Sequence, residues 1–207
     1  MKNEKSSIVC SGMEVPITYI QQETETTYLA IFLPGKGYTT QKPLLYYATS
    51  LYVEKGFDVP HLDYNELLQD LDKENCKEVI NQVVQSFLQK HNYSKIHFVA
   101  KSIGTYALVH ILQQNDIPNS QVIWLTPLLS VDKVYQTMLK SELGGSVFIG
   151  NKDPYYVEER FLKLEENPHL TLSLIPGANH SLEFENNTIQ SIRVVEIIIE
   201  ELQKIIQ

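Results

Sequence analysis

The chain has 207 residues, 43% hydrophobic and 20% charged, with 25 acidic against 17 basic side chains and a formal net charge of −8. That length suits one domain with a full core and is tight for two. An acidic domain without a Lys/Arg cluster is poorly suited to nucleic acid, where phosphate neutralisation supplies most of the affinity, and to anionic membranes.

No apolar signal core follows Met1-Lys2-Asn3-Glu4-Lys5, and no apolar run approaches a membrane span, so a cytoplasmic protein is expected. Residues 6–11 and 14–20 are predicted strands joined at Ser11-Gly12, antiparallel because the link is too short for a crossover. Gln21 to Thr27 reads as a polar turn. Residues 28–33 (YLAIFL) form a continuous apolar run, as in a strand buried on both faces. Helical spacing over 42–55 stops at Gly56, and its Leu44-Leu45-Tyr46-Tyr47 run reads as core. Strand 57–62 and helix 74–90 follow, the latter carrying Val79, Val83, Val84, Phe87 and Leu88 at helical period. Next come strand 95–100, helix 103–114, strand 121–126, helix 131–140, strand 146–149, strand 170–175 and a final helix from 189 to 206. Cys10 and Cys76 form no CxxC and no metal spacing; they read as small core residues.

This alternation predicts an α/β fold, a mostly parallel sheet with an antiparallel N-terminal strand pair. In such sheets the site lies at the carboxyl ends of the strands. Three strand ends carry chemistry. In His97-Phe98-Val99-Ala100-Lys101-Ser102-Ile103-Gly104, an apolar strand runs into one serine flanked by small residues and then a helix. A nucleophile on a strained strand-to-helix turn needs that arrangement, and the helix start stabilises developing negative charge. The strand that ends at Ile149 is followed by Gly150-Asn151-Lys152-Asp153-Pro154, which places an acid able to fix a histidine tautomer. Ile175-Pro176-Gly177-Ala178-Asn179-His180 places a histidine in a loop before the last helix, as general base. His61 lies early in the chain, His91 and His169 read as surface loop residues, and His97 and His110 lie within a strand and a helix. The order Ser, Asp, His is the one expected of an α/β-hydrolase site. A fourth strand end, Pro34-Gly35-Lys36-Gly37-Tyr38, brings a backbone N–H towards the serine; with the N–H of Ile103 it would form an oxyanion hole. It lacks the G-x-x-x-x-G-K-[ST] frame of a phosphate-binding loop.

Through LPGKGY, FVAKSIGTYAL, FIGNKDP and IPGANHSL the sequence resembles the α/β-hydrolase family over nearly the whole chain, above all its small bacterial-type, dienelactone-hydrolase-like members. The resemblance implies a three-layer sandwich, with Ser102 as nucleophile, Asp153 as acid and His180 as base. It also implies Lys36 and Ile103 as backbone oxyanion donors, Lys36 being favoured over Gly37. Ala100 departs from the usual elbow glycine, and Pro34 stands where many members have histidine. Asp132, after an earlier strand, is the competing acid, since some members place it there.

The stretch from Pro127 to Gly145 has room for one helix, so no cap domain and an open site are expected, which favours short acyl esters or thioesters. Tyr38, Tyr64, Leu128, Tyr155 and Leu182 follow strands and are the expected pocket residues, and Glu183, near His180, reads as a solvated loop acid, with a place at the rim as the alternative. The expectation is a serine hydrolase without metal or cofactor, acting on a small molecule as a monomer or homodimer. Acyl transfer or peptide cleavage would use the same acyl-enzyme chemistry, and a non-catalytic binding or regulatory protein would keep the fold without turnover.

Overall fold

The computed structural model describes residues 2–65, 73–90, 92–117 and 119–206. Eight strands form one sheet: β1 (Lys2–Cys10), β2 (Met13–Gln21), β3 (Tyr28–Leu33), β4 (Val59–Leu62), β5 (Lys95–Lys101), β6 (Ser120–Leu125), β7 (Gly144–Gly150) and β8 (Leu170–Ile175). Their order is β1-β2-β4-β3-β5-β6-β7-β8. β2 runs antiparallel to both β1 and β4, and all other neighbours are parallel.

The helices are α1 (Pro43–Glu54), α2 (Lys73–Lys90), α3 (Ile103–Gln114), α4 (Asp132–Lys140), α5 (Glu158–Lys163) and α6 (Thr188–Ile205). They cover both faces of the sheet. Alternation along β3 shows why: Leu29, Ile31 and Leu33 enter one core with residues of α2, α3 and α4, while Ala30 and Phe32 enter a second core with α1 and α6. Among the described residues no helix is long and apolar enough to cross a membrane.

Several elements differ from the sequence reading. β1 starts at Lys2 rather than at residue 6, since pairing with β2 orders charged residues that have no apolar pattern. The strand expected over 57–62 begins at Val59, with Asp58 joined to Leu29 by a single parallel bridge. Helix α5 and a 3₁₀ turn at Leu164–Glu166 occupy a stretch read without structure, where only Phe161 and Leu164 are buried. Tyr46 and Tyr47 are about half exposed, because the helical period turns Leu44, Leu45 and Ala48 inward and these two outward. His91 lies outside the described residues.

Register brings the informative loops to one edge. Leu33 pairs with Ala100, Lys101 with Leu125, and Gly150 with Ile175. The chain therefore leaves β3, β5, β6, β7 and β8 on the same side of the sheet.

Candidate active site

Ser102 sits between β5 and α3 with φ 54° and ψ −118°. A non-glycine residue in that region carries strain of about 1–3 kcal/mol and persists only when its surroundings fix it. Here the Ser102 N–H donates to the Leu125 carbonyl at 3.0 Å, and its own carbonyl accepts from Thr105 N–H at 2.9 Å and Thr105 Oγ1 at 2.6 Å. Gly104 lets the turn close: a Cβ there would lie 2.1 Å from the Leu33 carbonyl oxygen. Ala100, fully buried between Leu33 and Trp124, shows that a methyl group is accommodated on the other side of the serine.

The loop after β3 lies against the serine, since a Cβ on Gly35 would be 3.2 Å from Ser102 Cβ. Tyr38 N–H closes the turn onto the Gly35 carbonyl at 3.1 Å, and the Asn65 side chain accepts from Gly37 N–H at 3.0 Å. Lys36 is exposed within this turn. Ile103 is the first residue of α3, where a backbone N–H has no acceptor inside the helix.

Asp153 lies after β7 with its side chain fully shielded from water. Its Oδ1 accepts from Tyr155 N–H at 2.8 Å, which leaves Oδ2 facing His180 Nδ1 at 2.7 Å. His180 Nε2 is 2.7 Å from Ser102 Oγ. A carboxylate can only accept, so Nδ1 carries the proton and Nε2 is free to accept from the serine hydroxyl. The His180 loop is braced by Asn179, whose side-chain oxygen accepts from Ser181 N–H at 2.9 Å and Glu183 N–H at 3.1 Å. It also packs tightly on the Asp153 loop, because a Cβ on Gly150 would lie 2.0 Å from the Ala178 carbonyl.

The structure thus brings Ser102, His180 and Asp153 into one hydrogen-bonded chain. Asp132 stands apart: its side chain is 81% exposed and pairs with Arg160, which also donates to the Leu129 carbonyl. The expected pocket residues divide. Tyr155 is 38% exposed, and its ring centroid is 5.1 Å from that of His180. Tyr38, Tyr64, Leu128 and Leu182 are buried. Tyr64 has no exposed surface and donates its hydroxyl to the Pro34 carbonyl, so it supports the loop after β3 instead of facing solvent. Among the described residues no group of three His, Cys, Asp or Glu side chains is placed to hold a metal.

One residue of the site escapes the sequence reading. Lys101 is 1% exposed, and its ammonium donates to Thr126 Oγ1 at 2.8 Å and to the His180 carbonyl at 2.7 Å. Burial pushes it down to about 7, against the opposing pull of the Asp153 and Glu183 carboxylates. The available signal was a lysine ending an otherwise apolar strand.

No family model and no curated protein matches the sequence. Solved structures do match over nearly the whole chain. An alpha-beta serine hydrolase homologue from Coxiella burnetii has 14% identity, with 98% of each chain covered and a TM-score of 0.73. A predicted CIB-like hydrolase from Thermoplasma acidophilum has 14% identity, 99% coverage of each chain and a TM-score of 0.73. Dienelactone hydrolase from Anabaena variabilis has 14% identity over 96% of this chain and 95% of its own, with a TM-score of 0.72. The chain therefore has the α/β-hydrolase fold, and these likenesses speak to the fold alone.

Proposed function

We propose that the chain is a serine hydrolase that cleaves a small carboxylic ester or thioester through an acyl-enzyme. The observation that carries this reading is the relay from Asp153 Oδ2 to His180 Nδ1 and from His180 Nε2 to Ser102 Oγ, 2.7 Å at each step. His180 takes the Ser102 proton as Oγ attacks the carbonyl carbon. The resulting imidazolium is stabilised by Asp153, which does not itself take the proton. The N–H groups of Ile103 and Lys36 receive the oxyanion, helped by the positive end of α3. His180 then protonates the leaving alcohol or thiol. A water deprotonated by His180 attacks the acyl-enzyme, and the acid departs with Ser102 restored.

The surroundings support a small substrate. His180 keeps 31% of its side chain accessible and Tyr155 is exposed beside it, so the reacting carbonyl is reached from open solvent. Tyr155 supplies an aromatic edge for a small acyl or alcohol group.

A fluorophosphonate probe followed by peptide mapping tests the reading. The expected result is covalent modification at Ser102, abolished in Ser102→Ala, with turnover of short p-nitrophenyl esters lost about 10⁴-fold or more in that variant. Folded wild-type protein that does not label, or Ser102→Ala that hydrolyses esters at the wild-type rate, ends the proposal.

A further inference from the structure

Lysine is among the residues least often buried, and an ammonium withdrawn from water costs several kcal/mol unless its protons are satisfied. Lys101 is nevertheless buried immediately before the nucleophile, at the end of β5. Its position is met by three other loops. Thr126 Oγ1, from the end of β6, and the His180 carbonyl, from the loop after β8, both accept from Nζ. The Tyr38 ring, from the loop after β3, lies under Nζ with its centroid 4.6 Å away. A methionine would fill the same space at lower cost, so fold stability alone gives no reason for a charge here.

We propose that Lys101 is a positioning residue of the proposed hydrolase site, its ammonium tying the backbone of the base His180 to Thr126 and seating the Tyr38 end of the oxyanion loop. The inference rests on the serine hydrolase reading. Chain direction accounts for the geometry. Lys101 and Ser102 are consecutive, so Ser102 turns into the site while the lysine side chain runs beneath it. The hydrogen bond to the His180 carbonyl then fixes the distance between the base and the nucleophile from below, as Asp153 fixes the ring orientation from the side. A cation–π contact to Tyr38 holds the loop carrying Lys36 in the same frame. The charged and titratable groups around Nζ are Asp153 on the β7 loop, His180 and Glu183 on the β8 loop, and Tyr38 on the β3 loop.

The experiment compares wild type, Lys101→Met, Thr126→Val and Thr126→Ser. Each is read for fluorophosphonate labelling at Ser102, for kcat and KM on a short p-nitrophenyl ester across pH, and for thermal stability. Lys101→Met is expected to melt at or above the wild-type temperature while kcat falls by about 10²-fold, as for a displacement of about 1 Å at the reacting atoms. KM should stay within about threefold, because no group that touches substrate is removed. Thr126→Val, which keeps the charge and removes one acceptor, should lower kcat by about three- to tenfold. Thr126→Ser restores the acceptor and should restore kcat.

Lys101→Met that folds, labels at the wild-type rate and keeps the wild-type kcat overturns the role of Lys101 and leaves the hydrolase reading standing. Wild-type protein that does not label overturns both. Should Lys101→Met fail to fold, the threonine pair decides: equal kcat in Thr126→Val and Thr126→Ser overturns the proposal.

Discussion

An aspartate orients a histidine only where water does not compete for its oxygens. Asp153 meets that condition and Asp132 does not: one side chain is fully shielded, the other 81% exposed and paired with Arg160. Both oxygens of Asp153 are committed as acceptors, Oδ1 to Tyr155 N–H and Oδ2 to His180. An asparagine at 153 can satisfy one of these donors but not both. Either its amide N–H₂ faces Tyr155 N–H, or it faces Nδ1 and forces the tautomer that leaves Nε2 unable to take the serine proton. Asp153→Asn is therefore expected to lower kcat for ester hydrolysis by about 10⁴-fold in a folded protein. Asp132→Asn should stay within about twofold, since an exposed ion pair contributes about 1 kcal/mol or less to stability and nothing to the relay. The reverse pattern in kcat would transfer the acid role to Asp132. That Ser102, Asp153 and His180 would meet could be read from the sequence because each lies in the segment that follows a strand, and strand ends converge in a parallel sheet. Lys101 could not. Its partners lie at positions 38, 126 and 180, and nothing local in the sequence shows that these meet at one ammonium.

At the level of elements, the strand-to-helix turn at Ser102 depends on β3 and α3 coming unusually close. Gly104→Ala would drive a methyl group to 2.1 Å from the Leu33 carbonyl, a backbone atom of a central strand paired to β5. Relief requires moving α3 off the sheet or unpairing β3, so a loss of about 3 kcal/mol or more is expected, with fluorophosphonate labelling lost in parallel. Gly12→Ala offers the contrast, because its φ of +77° is unfavourable for alanine but its Cβ would meet nothing within 4 Å. It should cost only about 1 kcal/mol. Urea denaturation distinguishes the two, and a Gly104→Ala protein as stable as wild type would contradict the close packing of the elbow. The same distinction between local and long-range causes explains which elements the sequence revealed. β3, β5 and β6 are buried on both faces over most of their length and read clearly as strands. The first half of β1 is exposed along its length, and only its register opposite β2 makes Lys2 to Lys5 a strand. Helix α5 is six residues long and buries only Phe161, too little to show a helical period.

For the molecule as a whole, three buried bases give the stability a definite dependence on pH. His61 is 6% exposed with Nε2 2.8 Å from Thr49 Oγ1, and His97 is fully buried with Nδ1 3.0 Å from the Tyr52 hydroxyl. Burial pushes both imidazoles down to about 4, with the Lys95 charge adding to the effect at His97. In the unfolded chain these rings take up protons near pH 6.5, so between about pH 6.5 and 4 the unfolded state binds more protons than the folded one. Stability then falls as the pH is lowered, by at most about 3 kcal/mol for each histidine. Lys101 acts with the same sign at higher pH. Burial brings it to about 7 in the fold. The unfolded side chain titrates near 10.4, so stability rises with pH between these two values. Repulsion arising from the net charge of −8 opposes this trend at high pH, but exposed charges are screened by salt and buried groups are screened much less. In about 0.15 M salt the buried groups should dominate, and the urea midpoint should be clearly higher at about pH 8.5 than at about pH 5. In Lys101→Met the rise above neutral pH should largely disappear while the fall below about pH 6.5 remains, because only the histidine contribution is left. A wild-type midpoint that does not change over this range would mean that the three bases titrate as if solvated. If the rise persists in Lys101→Met, its origin is another group. The expected pattern also places stability and function in opposition. At alkaline pH Lys101 gives up its proton and the fold gains stability, but the charge that holds Tyr38 is lost at the same time.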